Sequence, residues 1–422
     1  MAKSQNNQVF NNKLSRNPFA ELPREVSVLS AVAFFVAVGF GLIIPAIPIF
    51  AASFGVSKTA IGLIISSFAI MRFSSGLISG KLVDRFGERA VLGFGLFMVS
   101  FFTLLTALAQ SYGQLLTFRT LGGLGSSMFS VSAGSLLMRS VSDDYRGRAQ
   151  SLYNGGFLVG GVAGPAVGGI LSTFSLRAPF FVYSVTLAMA GTTALVFLSE
   201  KRLGIKTDIP TNLIGQTTLK QAFKLRPYQI ALALAFINNW VLFGLRSSIL
   251  PLFVTEELGS TATVAGIGLT IGALIQGLFL LKAGKFSDEK GRKAALILGG
   301  SYVLFGVLML SFTTSPLWYF IAMALFGLGG AYVGTAPGSV VGDIINGRGG
   351  QVIGAWQMAG DAGMIVGPIL VGFLTDNYSY QTAFLVSAVI SAIAILLSVL
   401  LPETRSSHLD NGLIIDKNKQ EL

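Results

Sequence analysis

Cysteine is absent from the chain, and its one histidine, His408, stands in a polar segment near the C-terminus. Disulfide bonds and metal sites built from cysteine and histidine are therefore excluded. Charge is scarce as well, because Asp, Glu, Lys and Arg make up only 12% of the 422 residues. An ordinary soluble domain carries roughly 25%. The chain is accordingly expected to lie in lipid and to need no metal or other cofactor.

Apolar residues are abundant, at 52% of the chain, and they form long unbroken runs. A bilayer admits only helices and closed barrels, because both satisfy every backbone polar group internally. Runs of about 20 residues fit helices, whereas barrel strands are shorter and alternate. The sequence therefore predicts an all-α integral membrane protein with twelve transmembrane helices. The expected spans are 26–52, 60–81, 90–110, 113–138, 149–173, 179–199, 228–254, 262–283, 294–313, 317–342, 351–375 and 380–401.

The spans are expected to form two pseudo-symmetric halves of six helices each. The predicted organisation is a tail at 1–25, a first half at 26–199, a linker at 200–227, a second half at 228–401 and a tail at 402–422. Of the 30 Lys and Arg residues, 25 fall in the tails, the linker and the loops of one side. Basic loops face the cytoplasm, so both termini are predicted to be cytoplasmic in a multi-pass plasma (inner) membrane protein. This asymmetry explains the net charge of +11 without a nucleic-acid partner.

Three glycine-containing motifs recur in the second half at a nearly constant offset of 203 or 204 residues. One is a charged stretch, which is predicted to turn the chain between the second and third spans. Repeats of this kind are typical of transporters whose site lies between the halves. The matched pairs are Gly80–Arg89 with Gly284–Lys293, Gly123–Gly125 with Gly327–Gly329, and Gly160–Pro165 with Gly363–Pro368.

The twelve spans, the repeat and the stretch Gly80-Lys-Leu-Val-Asp84-Arg85-Phe-Gly87-Glu88-Arg89 resemble the major facilitator superfamily. The resemblance implies a monomeric secondary transporter that moves a small molecule by alternating access. It also implies that the charged turns latch the halves together on the cytoplasmic side. Glu88 stands where the family usually has arginine, so the set of ion pairs is left open. The expected gate residues are Gly80, Asp84, Arg85, Gly87, Arg89, Gly284, Asp288, Gly291 and Arg292.

Two further segments, Gly39–Pro48 and Gly160–Gly169, resemble the drug:proton antiporters of that superfamily. This resemblance favours proton-coupled efflux, with proton-coupled uptake of a sugar or organic acid as the alternative. Many such antiporters carry an acid in the first span at the position held here by Val36. Proton coupling would therefore use Asp361, Asp343 or another route.

Glycines spaced four apart, such as Gly160, Gly164 and Gly168, line one helix face and allow another helix to approach closely. We interpret this face as a flexible seam between the halves, with ordinary tight packing as the alternative. The expected seam residues are Gly160, Gly164, Pro165, Gly168, Gly363, Gly367 and Pro368.

Ionisable residues inside spans cost about 2.5–3.5 kcal/mol each, so they indicate function. At about 1.5 Å per residue, Arg72 and Asp361 lie roughly 18 and 16 Å from the same surface. In the superfamily the second and eleventh spans face each other, so these two residues are predicted to form or alternate with an ion pair. The alternative is that each points separately into a wet cavity. The predicted pathway residues are Arg72, Arg119, Asn239, Arg246, Gln276 and Asp361.

Arg119 begins the pattern R-x-x-x-G-x-G, whose arginine is implicated in proton transfer in the superfamily. Three buried arginines against one or two acids favour neutral or anionic substrates. The Gly-Lys pairs at 80–81 and 284–285 lack the first glycine of a phosphate-binding loop, so an ATP-driven pump is excluded. No cluster of nucleophiles or carboxylates suggests an enzyme. The expected partners are a small-molecule substrate, protons and the lipid bilayer.

Overall fold

A computed structural model describes residues 22–140, 146–198, 217–334, 336–344 and 350–404. Every regular element in these ranges is helical. Sixteen of them are α-helices, and one segment, Trp240–Ile249, is a π-helix. The α-helices are α1 (Arg24–Ala52), α2 (Lys58–Ser74), α3 (Gly76–Phe86), α4 (Glu88–Leu108), α5 (Tyr112–Ser140), α6 (Arg146–Phe174), α7 (Ala178–Phe197), α8 (Leu219–Lys224), α9 (Arg226–Asn239), α10 (Leu250–Glu256), α11 (Ala262–Lys290), α12 (Arg292–Ser311), α13 (Pro316–Val333), α14 (Ala336–Ile344), α15 (Gly350–Asn377) and α16 (Tyr380–Leu400).

Ten helical segments of the described residues are long and apolar enough to cross a membrane, which confirms the all-helical membrane class. The predicted second and fourth spans are not among the ten. The second is divided into α2 and α3, and α5 is rich in glycine and serine and contains Arg119. The ten segments are Arg24–Ala52, Glu88–Leu108, Leu152–Phe174, Ala178–Phe197, Arg226–Glu256, Ala262–Lys290, Arg292–Ser311, Pro316–Ile344, Val352–Asn377 and Tyr380–Leu400.

The charged stretch Gly80–Arg89 was expected to be a turn, and this expectation is wrong for most of its length. Residues 80–86 continue α3, because Lys, Leu, Val, Arg and Phe are all compatible with a helix. The chain reverses only at Gly87, whose φ is +82°. In the second copy the reversal falls at Gly291, with φ +104°. Both conformations favour glycine, which explains why the chain reverses at these two residues.

The predicted tails and linker lie largely outside the described residues, so their boundaries remain predictions. Positions 1–21, 199–216 and 405–422 belong to this group. The end of the linker is helical, since α8 begins at a capping box in which the Thr218 side chain bonds the backbone of Gln221 and the Gln221 side chain bonds that of Thr218. This reciprocal pairing satisfies two backbone donors at the helix start.

Two antiparallel helix pairs hold residues of the first and second halves of the chain together. One seam joins α2 to α15, and the other joins α6 to α11. We call the side bearing Gly87 and Gly291 the turn side. The opposite side, which bears Gly55 and Gly259, is the far side. The largest apolar core extends across these contacts, with Ile61 of α2 and Val371 of α15 both buried in it.

Candidate substrate cavity

A cavity of about 780 Å³ lies between α2, α3, α5, α9 and α15. Along α2 and α3 its lining extends from Arg72 to Gly76, and along α15 from Asp361 to Gly354, so the cavity lies on the turn side of Arg72 and Asp361. Of the described lining residues, Arg72 and Asp361 alone carry charge. The lining consists of Arg72, Phe73, Ser74, Gly76, Ser127, Ser130, Val131, Ala235, Asn239, Gly354, Trp356, Gln357, Met358, Gly360 and Asp361.

The predicted ion pair between Arg72 and Asp361 is present at the inner end of this cavity. Arg72 Nη2 donates to Asp361 Oδ1 over 2.7 Å. The two side chains are 32% and 26% exposed, so the pair is reached by the cavity rather than sealed in the core. Arg72 stands in the last turn of α2, just before the helix is interrupted at Ser75. On the turn side of this point the cavity lies between α3 and α15.

Beyond the pair, toward the far side, the α2–α15 seam is closed by backbone contact. Ser66 Oγ donates to Ile365 O over 2.6 Å. A Cβ placed on Gly62 would collide with the carbonyl oxygen of Pro368, so the helices touch there without an intervening side chain. Small residues allow this approach between membrane helices. The cavity therefore ends at the ion pair.

A carboxylate and an ion pair fasten the far-side end of this seam. Asp376, at the end of α15, accepts hydrogen bonds from the backbone nitrogens of Lys58 and Thr59 over 2.8 and 2.7 Å. It thereby caps the N-terminus of α2, where negative charge is favoured. Lys58 Nζ also lies 3.1 Å from Glu256 Oε2, which accepts a second bond from the hydroxyl of Tyr380. These contacts tie α2 to α10, α15 and α16.

Arg119 is buried, with 5% of its surface exposed, and lies one helical turn deeper than Arg72. Gly123 packs against the backbone of Phe68 and Arg72. Because Arg119 precedes Gly123 by four residues on α5, it lies one turn further from the turn side. The guanidinium rests 4.6 Å from the centre of the Phe68 ring. It faces a small cavity of about 20 Å³. Among the described residues no acceptor lies within hydrogen-bond distance of its Nε.

Arg246 occupies the π-helix, a feature that the sequence analysis missed. Its Nε likewise has no acceptor among the described residues. The guanidinium lies beside Gly272, where an added Cβ would be 3.6 Å from Nη2. π-Helical hydrogen bonding is rare, and here it extends over ten residues. The structure thus buries a second unpaired guanidinium, away from the lining of the large cavity.

The two predicted amide residues take different places. Asn239 lines the large cavity and donates to Ala235 O over 3.0 Å. Gln276 instead donates to Gly330 O over 3.3 Å and is absent from the described cavity lining. Sequence reasoning missed Phe73 and Trp356, two aromatic residues of the wall. Phe73 directly follows Arg72, a predicted pathway residue, and this adjacency could have indicated its place in the wall. No comparable feature of the sequence indicated Trp356.

The hypothesis that the glycines of α6 line a seam between the halves is wrong for Gly160, Gly164 and Gly168. These three pack against α1, at Phe34, Gly41 and Leu42. The seam with α11 uses the opposite face of α6, where Gly266 meets the carbonyl oxygen of Pro165.

The corresponding residues of α15 divide in the same way. Gly363 contacts Phe236 of α9, and Gly367 contacts Trp240 and Gly244 of the π-helix. Pro368 meets Gly62 of α2, as the seam hypothesis required.

The first charged turn makes contacts within its own half in this conformation. Arg89 donates from Nε to Leu195 O over 3.0 Å. Arg85 is exposed and lies over the Phe86 ring. Nothing lies within 4 Å of a Cβ built at Gly80 or at its equivalent Gly284, so no neighbouring helix packs closely against either glycine here. The side chain of Asp84 lies outside the described set.

The second charged turn is held by a network of acids around Arg292. Arg292 pairs with Asp288 and donates from Nε to Asp343 Oδ2 over 3.2 Å. The backbone nitrogen of Arg292 donates to Glu403 over 2.8 Å. The equivalent of Arg292 in the first copy is Glu88, which accepts a bond from Ser135 over 3.0 Å. The sign of the charge is therefore reversed between the two copies.

An all-helical membrane protein whose central cavity is open on one side and closed on the other has the architecture of a transporter. Comparison with known proteins agrees. The family model of the Major Facilitator Superfamily matches residues 29–248 and 231–415. The chain therefore belongs to the Major Facilitator Superfamily.

Similar proteins are transporters as well. Multidrug resistance protein MdtG of Escherichia coli O17:K52:H18 is 28% identical over 322 residues, which cover 73% of this chain and 76% of the relative. A bacterial homologue of the human lysosomal transporter Spinster, in an inward-facing and unoccupied conformation, has a TM-score of 0.73 at 17% identity, covering 90% of this chain and 97% of its own. The nucleoside transporter NupG has a TM-score of 0.70 at 14% identity, with 90% and 100% covered. The last two show the fold alone.

Proposed function

We propose that this protein is a secondary active transporter that exports a small molecule by alternating access in exchange for protons. Its twelve spans form two six-helix halves, and the substrate site lies between them. The turn side faces the cytoplasm of a plasma (inner) membrane protein with both termini inside. With this orientation the present structure is the inward-facing state of a monomeric transporter.

One observation carries the proposal: the large cavity is open toward the turn side and ends at the Arg72–Asp361 pair. The α2–α15 seam closes the far side beyond it. Alternating access requires a site that one side reaches while the other is shut. Opening the far side would separate α2 from α15, the two helices that the ion pair joins. The pair therefore lies at a contact that would change between the two states.

Asp361 is our candidate for the coupling carboxylate. A proton on Asp361 removes the charge that holds Arg72 and so weakens the contact that ends the cavity. A switch of this kind needs a group whose charge differs between the two states. Asp343 is a weaker candidate, because it is already engaged with Arg292 and with Thr404 at the turn side.

The direction of transport rests on the likeness to a multidrug resistance protein and on the first- and fifth-span segments. The test begins with a strain that lacks its own export pumps, screened for compounds that it survives only when this protein is produced. Inside-out vesicles are then energised to an acid interior and given such a compound. Export predicts that the compound accumulates while the interior loses acid.

Two outcomes would contradict the proposal. Accumulation in right-side-out vesicles, driven by an inward proton gradient, would instead support uptake of a small nutrient. Accumulation that is independent of any proton gradient would remove the coupling. Arg226→Gln should transport like the unsubstituted protein in these assays, since Arg226 is an exposed turn-side arginine outside the cavity.

A further inference from the structure

We propose that the ligand of this cavity is an amphipathic organic anion whose negative group is held between Arg72 and Arg119. The proposal rests on the transporter function inferred above and gives it a substrate class. It follows from three features of the described interior: its excess of positive charge, a partition between two cavities and an aromatic wall.

Positive charge prevails at mid-depth. Arg72, Arg119 and Arg246 lie within the helices there, and Asp361 is their one described counterpart. That carboxylate is already bound to Arg72. An arginine in a membrane interior is unfavourable unless a partner or water satisfies it. A ligand anion would satisfy such a guanidinium, whereas a ligand cation would meet repulsion and an occupied acid.

The Arg72–Asp361 pair separates the large cavity from the small one that Arg119 faces. Phe68 and Met364 line the small cavity, one helical turn beyond Arg72 on α2 and beyond Asp361 on α15. Residues one turn apart on a helix lie about 5.4 Å apart along its axis. If Asp361 released Arg72, the two spaces would join, and one anionic group would reach both guanidinium groups.

Arg119 has the properties of an unfilled binding group. It is 5% exposed, and it lines the small cavity between apolar neighbours such as Ile65 and Phe68. Its Nε finds no acceptor among the described residues. Buried polar groups normally have partners, so an orphaned guanidinium that faces a cavity indicates an acceptor that arrives from outside the chain. Carboxylate, phosphonate and sulfonate groups share the required geometry.

The large cavity provides for the rest of the ligand. Phe73 and Trp356 supply aromatic surface, and the indole Nε1 of Trp356 is buried without an acceptor among the described residues. Ser127, Ser130 and Gln357 add uncharged polar groups. This combination favours an apolar or aromatic body with a few hydrogen-bonding groups over a fully hydrated sugar. Pockets of this composition are typical of small-molecule sites.

The test uses three compounds that share one ring system and differ in charge: 2-naphthoate, 2-naphthamide and 2-naphthylmethylammonium. Their binding to the purified full-length protein in lipid nanodiscs is measured by calorimetry without any gradient. We expect 2-naphthoate to bind at least tenfold more tightly than the other two. Tightest binding of the ammonium, equal binding of all three, or no binding of 2-naphthoate would each overturn the proposal.

The variant Arg119→Gln tests whether Arg119 causes the preference for 2-naphthoate. It should weaken 2-naphthoate at least tenfold and leave 2-naphthamide unchanged, whereas Arg119→Lys should recover part of the loss. Arg226→Gln, an exposed arginine away from both cavities, should change neither compound. An unchanged ratio between naphthoate and naphthamide in Arg119→Gln would overturn the assigned role. Since binding is measured without transport, failure of proton-coupled export leaves this result intact, and the reverse also holds.

Discussion

The two seams that close the far side are built alike but carry different chemistry. In the α2–α15 seam, Gly62 meets the carbonyl oxygen of Pro368, and in the α6–α11 seam, Gly266 meets that of Pro165. Gly266 is the repeat equivalent of Gly62, and Pro368 is that of Pro165. The same glycine–carbonyl contact therefore occurs twice. The repeat has preserved the way in which the helices touch.

The difference appears about two to three turns further along each seam. Arg72 and Asp361 form an ion pair, whereas their equivalents are Gln276 and Leu158. Leu158 lies against Gly277, and Gln276 bonds to Gly330 inside its own half. Of these two positions, only the first carries ionisable side chains. We infer that the α2–α15 seam senses charge while the α6–α11 seam serves as the passive half of the same closure.

The buried arginines show a similar exchange. Arg119 lies on Phe68, and the equivalents of these residues are Met323 and Gly272. Gly272 leaves the space that a ring would fill, and the guanidinium of Arg246 lies there instead. Both halves thus bury a guanidinium at comparable places, although it comes from a different helix in each. Both halves therefore keep a buried positive charge, although the residues that supply it differ between them.

The largest effect is expected when the charged position itself is neutralised. Asp361→Asn keeps the shape of the side chain but leaves Arg72 without its anion, so transport of an exported compound should fall at least 100-fold. Leu158→Ala, at the equivalent place of the α6–α11 seam, should retain more than half of the activity. Both are measured as initial rates in inside-out vesicles. Normal transport by Asp361→Asn would remove the distinction between the seams.

A smaller effect is expected where the two seams agree. A Cβ at Gly62 or at Gly266 would collide with a backbone oxygen, so Gly62→Ala and Gly266→Ala should each push the far side open. Ser247→Cys provides the probe, because the chain has no cysteine and Ser247 is a buried residue that lines the small cavity. Its labelling by an impermeant maleimide from the far side should rise about tenfold in either variant.

Gly113→Ala is the control for that experiment, since nothing lies within 4 Å of a Cβ at Gly113. It should leave the labelling rate unchanged. A large rise in Gly62→Ala without any in Gly266→Ala would show that the two seams do not open together.

Much of this comparison could be predicted from the sequence. Long apolar runs mark membrane helices locally, and the repeat appears as a constant offset between motifs. The predicted pairing of Arg72 with Asp361 required the rise per residue of a helix and the facing of the second and eleventh spans, which the resemblance to the superfamily implies. The depth of a residue in its span and the offset between two motifs follow from residue numbers alone, so both can be calculated from the sequence.

The remainder depends on which neighbour each helix face meets. The glycines of α6 permit a close approach, but their pattern does not say whether α1 or α11 makes it. In the π-helix around Arg246 each backbone hydrogen bond spans five residues instead of the four of an α-helix, a change that no local signal in the sequence marks. Trp356 joins the cavity wall through the placement of α15 beside α2, α3 and α5, which no local pattern in the sequence states.

Asp376 should matter less than Asp361 because it lies at the exposed end of the seam. Asp376→Asn weakens the charge-assisted bonds to Lys58 and Thr59, so labelling of Ser247→Cys from the far side should rise about threefold. The α6–α11 seam offers a neutral counterpart, the bond from Ala166 N to the Thr270 hydroxyl over 2.9 Å. Thr270→Val should raise the labelling by less than that. The reverse order would contradict a charged and a neutral seam.

The smallest effect concerns the two charged turns, which also differ by charge. Asp343→Asn removes the anion that Arg292 meets at 3.2 Å, and Arg292 is only 13% exposed, so the bond is well shielded from water. We expect a drop of a few degrees in the thermal unfolding temperature of the purified protein. Ser135→Ala removes one hydroxyl that donates to Glu88 in the first copy, and a bond from a neutral donor contributes less than an ion pair between shielded groups. Its unfolding temperature should fall by less than that of Asp343→Asn. An equal or larger drop for Ser135→Ala would show that the first turn, despite its reversed charge, is held as firmly as the second.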